Sequence, residues 1–133
     1  MPPAEFRRTS IAQSCLYLRN KARFLHVKTQ ADSDEEFTFN NDEGSMSQQV
    51  REEVDNAAAL EEIVEEMVEF TRVSADLNAI NLFLLAQVQK ELKQFHEARQ
   101  NFGRALLKMP LFRSAWLELL QLLGAQEKYH LEQ

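Results

Sequence analysis

Two helices can approach closely only where their side chains are small. The placing of small residues within residues 79–123 therefore constrains this chain more than any other feature. Leu82, Leu85 and Ala86 lie on one predicted helix, and Ala98, Phe102 and Ala105 follow on a second at i, i+4 and i+7. That spacing makes one stripe of a helix. Ala86 and Ala98 are placed to meet at the crossing, and Phe95, in the turn after Lys93-Gln94, is expected to plug the gap between the two helices. Pro110 lacks an N–H and biases Met109 away from the helical region, so the second helix must end there. A step of 34 residues then carries Leu82 to Trp116 and Leu85 to Leu119.

This pattern resembles the tetratricopeptide repeat, a helix–turn–helix unit of about 34 residues that stacks into a solenoid. Leu82, Leu85, Ala86, Ala98, Phe102, Ala105, Pro110, Trp116 and Leu119 occupy its structural positions. Gln89 stands where an aromatic residue is usual and Leu120 where a small one is usual. Three Gly and three Pro in 133 residues also favour long helices over many short strands. The expected fold is all-α: tetratricopeptide-like antiparallel helical hairpins, a solenoid fragment with an acidic mobile loop. The expected divisions are a helix within residues 1–30, the loop at 31–47, a long acidic-faced helix at 48–78, the repeat at 79–112, and an incomplete first helix of a further repeat at 113–133.

In the first division Ser10 and Gln13 have capping-box spacing, which predicts a helix over residues 10–27. Ile11, Cys15, Leu18, Ala22 and Leu25 form its expected buried stripe, with Tyr17 and Phe24 beside it. Residues 31–44 hold six acidic residues and two aromatics, too little apolar surface to offset the ordering entropy. Ser33, followed by Asp34-Glu35-Glu36, has the form of an acid-directed kinase site, a pattern common by chance. Ser45 and Gln48 repeat the capping-box spacing ahead of a helix to about Arg72. Its stripe is Val50, Val54, Ala57, Leu60, Val64, Met67 and Val68. A last helix over residues 114–123 is expected to be capped by Gly124. Its Trp116, Leu117, Leu119, Leu120, Leu122 and Leu123 make it apolar around much of its girth with no downstream helix to cover it, which predicts a longer parent array, or a truncated form that needs a partner.

The net charge is −6, unevenly spread. Residues 31–70 hold fourteen acidic residues and one basic, Arg51, whereas the first thirty hold six basic residues and only Glu5 as an acid. The two blocks can meet within the fold or face different partners. An acidic balance disfavours nucleic acid as the main ligand. No apolar run reaches the length of a bilayer span or of a signal core, so a soluble intracellular protein is expected. One cysteine, Cys15, excludes an internal disulfide and reads as a buried helix residue. His26, His96 and His130 show no ligand spacing, and Glu61-Glu62 and Glu65-Glu66 read as a solvated face. With no Gly-rich phosphate loop and no nucleophile elbow, a binding or scaffold protein without cofactor or metal is favoured over an enzyme.

Met109-Pro110-Leu111 followed by Ala115-Trp116-Leu117-Glu118-Leu119 closes one repeat and opens the next. Earlier, Ala22-Arg23-Phe24-Leu25 runs into the acidic segment, the long helix and Asp76-Leu77-Asn78-Ala79. This order resembles the N-terminal half of the cell division cycle protein 23 family, subunit 8 of the anaphase-promoting complex. The resemblance implies a non-catalytic scaffold of a cell-cycle ubiquitin ligase, bound to other subunits of that complex and paired as a homodimer through its N-terminal repeats. The family's coactivator groove lies further toward the C-terminus, so no ligand-binding residue carries over. The alternative is a generic tetratricopeptide adaptor or co-chaperone module. Its carboxylate clamp is disfavoured because Phe83, Gln87, Ser114 and Glu118 stand at the groove positions and none is basic. An accessory helical domain of an enzyme is a third reading.

Overall fold

The computed structural model describes residues 3–37 and 45–131, with side chains described at residues 9–30 and 54–124. Five helices succeed one another: α1 (Pro3–Phe37), α2 (Ser45–Val73), α3 (Ala79–Glu91), α4 (Phe95–Lys108) and α5 (Arg113–Leu131). Among the described residues there is no strand. Helix α1 packs on α2 and α3, α2 also on α3, and α4 on α3 and α5. Each hairpin therefore lies against the helix that opens the next, and the architecture is the all-α stack of antiparallel hairpins expected from the spacing.

The α3–α4 hairpin is the most closely packed part. Asn78 caps α3, its side-chain oxygen accepting from the Asn81 N–H at 3.0 Å, which satisfies one of the free amides of the first turn. At the other end Lys93 takes φ 63°. The Gln94 N–H donates to the Gln89 carbonyl at 2.8 Å and the Lys93 N–H to the Lys90 carbonyl at 3.0 Å. These two bonds make a Schellman motif, with lysine where glycine is the usual residue. Ala86, Ala98, Phe102 and Ala105 are fully buried, and Leu82 and Leu85 nearly so. Burying Phe102 alone is worth roughly 1.5–3 kcal/mol, and its ring leans on Phe83 at 5.6 Å between centroids. Beyond Pro110, α5 contributes Ala115 and Leu122 to the same cluster, with Phe112 and Leu119 against it. Trp116 is half-exposed, its indole N–H donating to the Pro110 carbonyl at 2.8 Å.

Several expectations are corrected. Helix α1 starts at Pro3 and runs to Phe37, so Ser10 is an interior position and not a cap. The helix also takes in residues 31–37 of the expected acidic loop; residues 38–44 lie outside the described part. Ile11, Cys15, Leu18, Ala22 and Leu25 are all exposed. The buried face of α1 is instead Gln13, Leu16, Asn20, Phe24 and Val27. Both faces of this helix carry apolar residues, and packing selects the one whose Gln13 finds partners across the interface, while Asn20 donates to the Leu16 carbonyl of its own helix. On α2, Leu60, Ile63 and Met67 form the core, Val54 and Val68 are exposed, and Val50 lies outside the described side chains. Phe95 does not plug the hairpin. It opens α4 about half-exposed, and Leu92 packs against the core instead. Gly124 does not stop the last helix, which continues to Leu131. Since an interior Gly costs only about 1 kcal/mol relative to Ala, it does not oblige a helix to end.

Candidate protein interface

Interfaces within the chain and faces left open together define what this molecule can do. The basic block and the acidic block do meet: Arg19 pairs with Glu66, and Arg23 reaches Glu66 at 2.8 Å and Glu62 at 3.5 Å. Lys28 joins α1 to α3 through Glu91 at 3.1 Å, and Lys90 joins α3 to α5 through Glu118 at 2.7 Å. Neighbouring helices are thus laced by ion pairs at their rims. In partly exposed settings each pair contributes at most about 1 kcal/mol and chiefly fixes relative orientation.

A buried amide cluster locks the first hairpin to the second. The Gln13 Nε2 donates to the Asp76 carbonyl at 2.7 Å, and its Oε1 accepts from the Asn78 N–H at 3.1 Å. The Asn81 Nδ2 donates to the Gln13 carbonyl and to Gln13 Oε1, each at 3.0 Å. Gln13 is almost fully buried and Asn81 completely so. One side chain of α1 therefore holds both the α2–α3 connection and the start of α3. The N-cap at Asn78 was a local signal for this joint; nothing near Gln13 in the sequence marked it. A second buried amide pair, Asn101 Nδ2 donating to Gln89 Oε1 at 2.7 Å, links α4 to α3. That bond explains why Gln89 tolerates a position usually held by an aromatic residue.

Chemistry-bearing residues are scattered. Among the described residues no three His, Cys, Asp or Glu side chains are grouped to hold a metal ion. Cys15, expected to be buried, is exposed, and His26 and His96 are exposed on different helices. Two of the four groove positions weighed for a carboxylate clamp are already engaged. Phe83 sits against Phe102 and Phe112, and Glu118 binds Lys90.

The open faces are apolar. Ile11, Leu18 and Leu25 recur every seven residues on the outer side of α1, 64%, 66% and 50% exposed. On α5 Trp116, Leu117, Leu120 and Leu123 form a second such face. Among the described residues no helix is long and apolar enough to cross a membrane, so these faces are not bilayer spans.

Antiparallel hairpins with alanine crossings, stacked through side-chain ties and ending in open apolar faces, define a tetratricopeptide-like helical repeat protein. The family model for anaphase promoting complex subunit 8 / Cdc23 matches residues 4–133. The chain belongs to that family. No curated protein and no solved structure matches it.

Proposed function

We propose that this protein is a non-catalytic scaffold subunit of the anaphase-promoting complex, a ubiquitin ligase of the cell cycle and mitosis, and that it acts by holding other subunits in place. Membership of the subunit 8 / Cdc23 family supports this reading, and the side chains that line its helices serve packing. In it, ubiquitin transfer belongs to other subunits, and the protein works in nucleus and cytoplasm. A carboxylate-clamp adaptor finds no support, because Phe83 and Glu118 are committed to contacts within the chain.

The observation that carries the assembly role is the outer stripe of α1. Ile11, Leu18 and Leu25 stand one above another at heptad spacing while the opposite face of the same helix is fully packed. A sustained seven-residue apolar repeat is the seam by which helices of separate chains pair, and in this reading two copies pair through α1. Light scattering across a concentration series tests it. A dimer that dissociates in Leu18→Glu is the expected result. Association lost in Trp116→Glu but kept in Leu18→Glu would assign pairing to α5 instead, and a monomer at tens of micromolar would overturn self-association altogether.

A further inference from the structure

Between α2 and α4 lies a cleft of about 590 Å³ that the family reading does not use. Its floor is Leu82 and Leu85 of α3. One wall carries Val68 and Arg72, an i, i+4 pair of α2, and the other carries Arg104, Leu107 and Lys108, at i, i+3 and i+4 of α4. Val68 is 52% exposed and Leu107 84% exposed, so neither is needed to complete a core. The inner end is closed by the Gln89–Asn101 amide pair, which leaves no unmet polar demand there.

The charges of this cleft run against those of the whole. On a chain of net charge −6, three of the four charged side chains lining it are basic, and Asp76 is the one acid. Elsewhere Arg19, Arg23, Lys28 and Lys90 are neutralised by carboxylates of neighbouring helices. Here, among the described residues, Lys108 donates to the neutral Leu77 carbonyl, at 2.7 Å. Arg72 shares its charge with Glu69 of its own helix, and Arg104 stands exposed with no carboxylate among the described residues against it.

We infer that the cleft receives a short acidic segment of a partner protein, one or two aliphatic side chains entering between Val68 and Leu107 and carboxylates lying on Arg104, Lys108 and Arg72. An apolar floor with a charged rim is the arrangement that gives such a site both grip and orientation. The volume falls within the roughly 300–1,000 Å³ of ordinary ligand pockets, which suits a few residues of extended chain and not a whole helix.

The test is fluorescence anisotropy on the full chain with a fluorescein-labelled hexapeptide of alternating glutamate and leucine, against a lysine–leucine control. The acidic peptide is expected to bind, to weaken as salt is raised, and to lose about tenfold in affinity in Arg104→Glu. Leu107→Ala is expected to weaken it several-fold without changing the salt dependence. Both side chains are exposed, and unchanged helicity by circular dichroism verifies that the variants fold. Equal binding of the lysine peptide, unchanged affinity in Arg104→Glu, or displacement by single-stranded oligothymidylate would each overturn the assignment. Loss of binding in Leu18→Glu would overturn it too, by moving the peptide to the α1 stripe. Because Ile11, Leu18 and Leu25 do not line the cleft, failure of self-association leaves this inference standing, and the reverse holds as well.

Discussion

Truncating Gln13 to alanine isolates the joint between the two hairpins. The side chain makes three hydrogen bonds, to the Asp76 carbonyl, from the Asn78 N–H and from the Asn81 amide. Asn81 keeps other acceptors in the Gln13 carbonyl and Asn78 Oδ1, so its loss is small. The Asp76 carbonyl and the Asn78 N–H lose a partner in a partly buried setting, each at about 1–1.5 kcal/mol. With the packing of the removed Cγ methylene the total is about 3 kcal/mol. For a domain of this size that corresponds to a fall in Tm of about 10 °C. Urea unfolding followed by circular dichroism measures the first figure, and a thermal scan the second. Gln13→Glu adds a diagnostic. It keeps the acceptor, but turns a carboxylate toward the Asp76 carbonyl, which raises the folded pKa of that group above its unfolded value. The protonated form restores the donor, so the deficit should shrink as pH falls through the raised pKa and be full above it. A loss under about 0.5 kcal/mol for Gln13→Ala, or a pH-independent deficit for Gln13→Glu, would refute the argument that these amides fix the joint.

Two further substitutions address the α3–α4 hairpin. Ala98→Leu forces a larger side chain into a crossing with no exposed surface, at a cost of about 1–3 kcal/mol; an unchanged denaturation midpoint would count against Ala86 and Ala98 as the contact point. Lys93→Gly relieves a side chain held at φ 63° in the Schellman turn and should raise stability by about 1 kcal/mol, which the same urea titration reads as a shift to higher midpoint.

How much was legible depended on the distance over which each choice was made. The hairpin of α3 and α4 could be read directly because its contacts are repeated at short intervals. Alanines at the crossing, Phe102 between them and Pro110 at the end are local instructions, and all the alanines and Phe102 are buried. The apolar outer faces of α5 were legible for the same reason, since a helix apolar around much of its girth must leave something uncovered. The last helix was read too short because Gly124 only weakens a helix, and the expected acidic loop lost residues 31–37 to the extension of α1.

The face that α1 buries was decided by tertiary structure alone. By composition the aliphatic stripe of Ile11, Leu18 and Leu25 is the better candidate core, and it is the one left outside. The face that packs contains Gln13 and Asn20, residues that sequence reading counts as polar. Gln13 can be buried because groups 63 to 68 positions away supply its hydrogen bonds, and no pattern within one helix records where those groups will lie. Sequence therefore determined the α3–α4 hairpin and where its helices pair closest. Only the folded arrangement decided which surface of α1 is core and which is free to meet a partner, because the Gln13 amide can be buried only where its distant partners answer it.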